Sequence, residues 1–294
     1  GLAHSAGEIV MALDGDTSFD NDMVVNVVRH FQDPDVPAVA GSLRVRNARA
    51  SLTTAMQALE YLLSIQLAKI GLSEWNVVNN VSGAFGAFRR SFLQKIGGWD
   101  THTAEDLDIT LRIKNYFGRR PLRIPFEPRA IGHTDAPVTF RQFLMQRLRW
   151  DGDLFFLYVR KHRHSFTPRL LGWPNFLVVL VSGFFFQLVL PFIILGYFIV
   201  GLYSLTLSTF LVLAWLVYLV YLANTLLAYV VAVCMVSERP RQDLWLCWVV
   251  PLFPLFMFVM RCWSAVAILN EMIRRGHEET SMAPWWVLRK AKRF

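Results

Sequence analysis

Glu8-Ile9-Val10-Met11-Ala12-Leu13-Asp14-Gly15-Asp16 is an apolar run that closes on two carboxylates one residue apart. Such a run suits a buried parallel strand, and ligands of open α/β sheets bind outside the carboxyl ends of the strands. Two carboxylates at a strand end, Asp14 and Asp16, can hold Mg²⁺ or Mn²⁺, hard ions that take oxygen ligands and bridge to phosphates. Asp-Gly also favours turns for backbone reasons alone, so the pair gains weight only from what accompanies it. Downstream, Thr17–Gln32 reads as a helix capped from Thr17, Ser18 or Asp20, with Met23, Val24, Val27, Val28 and Phe31 on one face. Val36–Val45 reads as the next strand, after the breaker Asp33-Pro34-Asp35.

Three further clusters follow in order. Ser82-Gly83-Ala84-Phe85-Gly86-Ala87-Phe88-Arg89-Arg90 is a small-residue strand or loop closing on paired arginines. Glu105–Phe117 reads as a helix whose first turn carries Glu105, Asp106 and Asp108. Acids favour a helix start through the macrodipole, so plain capping is one account of them. The other is general-base chemistry, in which Asp106 takes a proton from a hydroxyl within reach and Glu105 orients base or substrate. Leu122–Phe126 and Ala130–His133 read as the last strand. Thr139–Val159 then reads as a helix rich in arginine and aromatics, carrying Gln146, Arg147, Arg149 and Trp150. Guanidinium forks suit a diphosphate and a Trp face suits a sugar ring, although an interfacial helix carries the same residues for its own reasons.

Ser51–Ile70 reads as a helix apolar over a broad face, suited either to the membrane-proximal side of a domain or to ordinary core packing. Apolar residues are 54% of the 294, and they concentrate after Trp173. Trp173–Tyr203, Leu205–Val236 and Leu244–Leu269 each reach the roughly 20 residues that cross a bilayer. The net charge of +8 comes from basic residues at Arg160–Arg169, Arg239–Arg241, Arg274–Arg275 and Arg289–Arg293. Lying beside the apolar runs, they read as membrane-surface charge on the cytoplasmic side and not as a nucleic-acid footprint. The first two segments read as an antiparallel pair turning near Tyr203–Thr206. Pro251 and Pro254 leave the third open between a full span and a re-entrant segment. Cys234, Cys247 and Cys262 lack paired or metal-type spacing and read as small buried hydrophobes.

Taken together the clusters resemble the membrane-integrated processive glycosyltransferases of family 2, the group of cellulose, hyaluronan and poly-N-acetylglucosamine synthases. The resemblance rests on Asp14-Gly15-Asp16, Ser82–Arg90, Glu105-Asp106, Glu127-Pro128-Arg129-Ala130 and Gln146-Arg147-Leu148-Arg149-Trp150. It implies an α/β domain of GT-A type followed by interfacial and transmembrane helices. Asp14 and Asp16 would bind metal and donor, and Gln146, Arg147, Arg149 and Trp150 would cover the donor. Ser82, Gly83 and Trp150 would receive the acceptor, with Asp106 and Glu105 catalytic. The implied reaction is inverting, processive transfer from a UDP-sugar, leaning to UDP-N-acetylglucosamine, onto a growing β-linked polysaccharide exported through the inner or plasma membrane. Other export-complex subunits are further partners in this picture.

The implied division is a catalytic domain over 1–138, an interfacial region over 139–172, membrane segments over 173–269 and a basic cytoplasmic tail over 270–294. Ala104 stands where the family usually has Thr before the acidic pair, which removes a hydroxyl able to cap the helix or steady the base. The sequence opens at Gly1-Leu2, and an upstream portion with a first strand and further membrane helices is expected, without which this stretch alone would be inactive. Two other readings stand beside this one: a non-processive enzyme acting on a lipid carrier, and a catalytically silent scaffold of an export complex.

Overall fold

The computed structural model describes residues 2–100 and 104–275. In chain order the elements are β1 (Ile9–Leu13), β2 (Ser18–Phe19), α1 (Met23–Val28), β3 (Ala38–Val45), α2 (Leu52–Tyr61), α3 (Ala68–Glu74), β4 (Phe85–Arg89), α4 (Arg90–Lys95), α5 (Glu105–Lys114) and β5 (Phe126–Thr134). Then come α6 (Phe140–Phe155), α7 (Pro168–Leu171), α8 (Trp173–Val178), α9 (Leu190–Ser204), α10 (Leu207–Val231), α11 (Pro240–Asp243) and α12 (Phe253–Arg274). Wider π-type turns carry α2 into α3 and α8 into α9, and a tight 3₁₀ run over Leu244–Leu252 carries α11 into α12.

The five strands form one mixed sheet in the order β1-β4-β3-β5-β2. Strand alternation supplies both cores: Ala38, Ala40 and Phe88 face α5 and its neighbours, while Val39, Phe85 and Ala87 face α1. Gly41 is required by packing, since a β-carbon there would fall 2.1 Å from the Phe85 ring. The pairing of β3 with β5 is parallel and slips after Gly41, where β5 bulges around Pro128, a residue with no N–H to give the ladder. Inside that bulge Glu127 bonds Arg29 and His30 and so fixes the end of the α1 helix.

The structure departs from four of these expectations. The β1 strand is neither buried nor parallel to its neighbour: it lies half-buried at the edge of the described sheet and pairs antiparallel with β4, from Ile9↔Arg89 to Leu13↔Phe85. Its run is apolar on both faces because Ile9 and Met11 lean on one core and Ala12 on the other. The helix expected over Thr17–Gln32 begins only at Met23, because Ser18 and Phe19 pair with His133 and Gly132 of β5. Its N-cap is Asp22, and Asp20 is drawn instead to His133 and Arg239. The last strand starts at Phe126, four residues after Leu122, and runs unbroken through Thr134. Among the cysteines, Cys234 and Cys247 are exposed on the apolar helices and Cys262 is half-buried, since a helix meant for lipid is apolar on its outer face as well.

Among the described residues three helical stretches are long and apolar enough to cross a membrane: Trp173–Ser204, Leu207–Val236 and Pro240–Arg274. The last does not stand apart from the α/β domain. Leu246, Val249, Val250 and Phe253 pack on Ala55, Met56, Leu59 and Leu62 of the α2 region, so the broad apolar face of that helix meets the membrane-type segments. Farther on, α12 follows α6, with Phe256 on Phe143, Trp263 Nε1 donating to Leu144 O at 2.8 Å, Ser264 Oγ donating to Asp151 at 2.7 Å and Glu271 pairing with Arg160. The basic tail beyond Arg275 lies outside the described residues.

At the end of β3, Arg44 reaches the segment between α10 and α12, pairing with Asp243 at 2.7 Å and Glu238 at 2.6 Å. Both Arg44 and Asp243 are largely out of water, so removing one strands the other's charge. Arg44→Met is predicted to cost about 3 kcal/mol, read as a lower midpoint of thermal unfolding in detergent, with Asp243→Asn costing less when Arg44 is already replaced.

Candidate active site

The turn after β1 lays Asp14 and Asp16 against the segment ahead of β4, where Asp14 N donates to Ala84 O at 3.4 Å. Arg46, just past β3, holds the other side of the turn. It donates to Asp16 O and Ser18 Oγ, each at 3.2 Å, and forks onto both carboxylate oxygens of Asp135 at 3.0 and 2.7 Å.

Opposite stands the N-terminus of α5. Its N-cap, Ala104, takes a left-handed conformation at φ 43° and ψ 43° and offers no side-chain cap. A residue with a β-carbon pays for that conformation, and Ala104 brings no hydroxyl in return. The steadying comes from the loop at 80–83 instead. Asp106 Oδ2 accepts from Asn80 Nδ2 at 3.2 Å and Gly83 N at 3.3 Å, and Oδ1 accepts from Leu107 N at 2.7 Å. Thr110 Oγ1 donates to Asp106 O at 2.7 Å and accepts from Val81 N at 2.9 Å, so loop and helix start form one unit. The loop lies close over both acids: a β-carbon added to Gly83 would sit 3.6 Å from Glu105 Oε1 and Asp106 Cβ.

Charge gathers here. Burial pushes the Asp14 carboxyl up, Asp16 and Asp106 push it farther, and the Arg149 guanidinium works in the opposite sense. Glu105 is likewise raised, by burial first and then by Asp106 and Asp14. Asp108, two residues on, belongs to a different structure. It is fully buried; burial alone would raise it, but the bond from His162 Nε2 at 2.7 Å and the charges of Arg112 and Lys161 hold it down at about 2. Of the three acids opening α5, Glu105 and Asp106 therefore face the cluster, and Asp108 ties the helix to the turn after α6.

The α6 helix begins with a reciprocal cap between Thr139 and Gln142. Gln146 Oε1 accepts from Gln57 Nε2 at 3.1 Å and Arg147 Nη2 meets Glu60 Oε2 at 2.6 Å, which docks α6 on α2. The Arg147 guanidinium lies 4.8 Å from the Phe143 ring centroid and 4.7 Å from that of Trp150, bracing the indole. Arg149, two residues on and so turned about 200° around the helix, sends its charge to Asp14. Trp150 remains 38% exposed. The structure thus brings together Asp14, Asp16, Gly83, Glu105, Asp106 and Arg149, keeps Ser82 in the same loop, and gives Gln146 and Arg147 partners on α2.

Gln57, Glu60, Arg46 and Asn80 were not visible as site residues in the sequence. Gln57 and Glu60 left one trace, two polar residues three apart on an otherwise apolar helix, matched to a polar pair on α6.

An oxygen-only donor set, partly desolvated at Asp14 and Glu105 and brought close to further acids, fits a hard divalent cation. Among the described residues no group of three acids, imidazoles or thiols is placed to hold a metal ion by itself.

The profile of the family "Glycosyl transferase family group 2" matches residues 9–270. The chain belongs to that family. Curated relatives include the poly-beta-1,6-N-acetyl-D-glucosamine synthases of Staphylococcus epidermidis and of Staphylococcus aureus strain COL, each 32% identical over 152 residues, 51% of this chain and 36% of the relative. The match thus spans little more than a third of those synthases. The family 2 glycosyltransferase is an α/β domain with a five-stranded mixed sheet followed by long apolar helices, as the motif order implied.

A carboxyl raised in the folded state opposes folding wherever it is ionised, and the penalty fades as pH falls through its titration. Asp14→Asn is therefore predicted to raise the thermal unfolding midpoint at pH 7.5 in a chelator, with the gap over wild type closing by about pH 4. A midpoint unchanged or lowered at pH 7.5 would count against the repulsion.

Proposed function

We propose that this family 2 glycosyltransferase moves a sugar from a UDP-sugar, with inversion at the anomeric carbon, onto the non-reducing end of a growing β-linked polysaccharide. The observation that carries it is the shared electrostatic field of Asp14, Glu105, Asp106 and Arg149, with Trp150, the residue after Arg149, exposed and braced by Arg147. UDP-N-acetylglucosamine is the favoured donor, on the strength of the similarity to the poly-beta-1,6-N-acetyl-D-glucosamine synthases.

Asp14 and Asp16 would hold Mg²⁺ or Mn²⁺, which offsets the charge of the diphosphate as it leaves. Arg149 adds a fixed positive charge on the same side, and Trp150 offers its face to the acceptor sugar. Asp106 accepts the proton of the acceptor hydroxyl as that oxygen bonds to the anomeric carbon. The bond from that carbon to the diphosphate breaks in the same step, its electron pair leaving with UDP. Glu105 and the Ser82-Gly83 loop orient the acceptor, and Gln146 and Arg147 act through the docking of α6 on α2. The three apolar stretches and the basic residues at Arg160–Arg169 and Arg239–Arg241 support a multi-pass protein of the inner or plasma membrane with the catalytic domain in the cytoplasm.

The test uses the complete gene product in nanodiscs with Mn²⁺ or Mg²⁺, UDP-N-acetylglucosamine and UDP-glucose offered separately, and UDP release read together with product length. Long polymer from the first donor is expected, with Asp106→Asn lowering kcat at least about 100-fold. Single additions would favour the lipid-carrier reading, and silence of folded protein with both donors would favour the scaffold.

A further inference from the structure

The α3 helix brings a lysine up behind the loop that holds the base. Lys69 is 4% exposed, and among the described residues its one hydrogen bond runs from Nζ to the main-chain carbonyl of Asn80 at 3.1 Å. The side chain of the same asparagine turns the other way and donates to Asp106 Oδ2 at 3.2 Å. We propose that Lys69 and Asn80 are positioning residues for the base: the buried ammonium anchors the main chain of the loop, and the Asn80 amide, so fixed, orients the Asp106 carboxylate and supports its charge. This rests on the reading of Asp106 as the base.

The placement of Lys69 is costly to the fold, which is why packing alone is a poor account of it. Burial pulls the ammonium down to about 8, although Asp106 works in the opposite direction. A group protonated more weakly when folded than when unfolded opposes folding at neutral pH, and stability recovers as pH rises from about 8 toward its ordinary 10.5. A methionine would fill the same slot without that penalty. The charged group facing Lys69 is Asp106 of α5, and behind it stand Glu105 of the same turn and Asp14 of the β1 turn. Lys69 is thus a positive charge stationed behind a group of acids, one residue removed from the carboxylate that does the chemistry.

The geometry also fixes which part of Asp106 is available. Asn80 and Gly83 both donate to Oδ2, whereas among the described residues Oδ1 accepts from the Leu107 amide alone. A carboxylate has about four acceptor directions, so the acceptor hydroxyl finds its place on Oδ1. Loss of the Asn80 amide frees the carboxylate to rotate, and a small misplacement of a reacting group is enough to cost about 100-fold in rate.

The experiment follows polymer synthesis from pH 6 to 9.5 and UDP-sugar binding by calorimetry, in nanodiscs, for wild type, Asn80→Ala, Lys69→Arg and Lys69→Met. Asn80→Ala is expected to lower kcat about 100-fold with donor affinity within about twofold of wild type. Wild-type kcat should fall as pH rises through about 8. Lys69→Arg, whose charge persists, should keep kcat across that range, and Lys69→Met should be slow throughout with no alkaline fall. If the Lys69 variants do not fold, Asn80→Ala decides alone. Wild-type turnover matched by Asn80→Ala, or an alkaline fall unchanged in Lys69→Arg, overturns this inference and leaves the proposed reaction standing. A wild type that turns over no UDP-sugar overturns the reaction and this inference with it.

Discussion

Mutual repulsion among Asp14, Asp16, Glu105 and Asp106 is the constraint around which this chain is organised. No fold gathers carboxylates in this way for stability, because at Asp14 and Glu105 desolvation and then like charge work against the ionised form. Each is held there by something else. The turn after β1 is fastened by Arg46 on one side and by Ala84 on the other, and the start of α5 is fastened by the loop at 80–83. The sheet gives that arrangement its backing, since β1 and β4 pair antiparallel and deliver the acidic turn and the loop to the same edge.

The positive side of the site is built by a different device. Docking α6 on α2 through Gln57, Glu60, Gln146 and Arg147 spends the polar groups of one face of the interfacial helix on structure and leaves Arg149 turned toward the acids. The same α2 helix carries the contacts to Leu246, Val249 and Val250, so the element that sets Trp150 and Arg149 also receives the start of the third apolar stretch. Arg44 and Arg239, paired with Asp243 and Asp20, connect that segment to the strand ends beside the acidic turn.

Much of this was legible in the sequence because the motifs are local. An apolar run ending in Asp14-Gly15-Asp16, acids opening a helix at Glu105, and Gln146 to Trp150 on one helix are each read within a few residues, and their order carries the family. What escaped was set by distant partners. Nothing in Ile9–Leu13 reports the direction of its neighbour, and Ser18-Phe19 becomes a strand only because β5, more than a hundred residues later, lies beside it. Arg147 and Arg149 look alike in the sequence, yet two residues on a helix differ by about 200°, so one was bound to face α2 and the other the site. The cysteines were misjudged because apolar segments do not reveal which of their faces meets protein.

In the proposed function the clustered carboxylates would be completed by a divalent cation and a nucleoside diphosphate. Electron paramagnetic resonance of Mn²⁺ with the protein in nanodiscs tests it without relying on turnover. The account predicts bound Mn²⁺ that tightens when UDP is added and is lost in Asp16→Asn and in Asp14→Asn. Mn²⁺ binding indifferent to UDP and to both substitutions, or none at millimolar Mn²⁺ with UDP present, would contradict it.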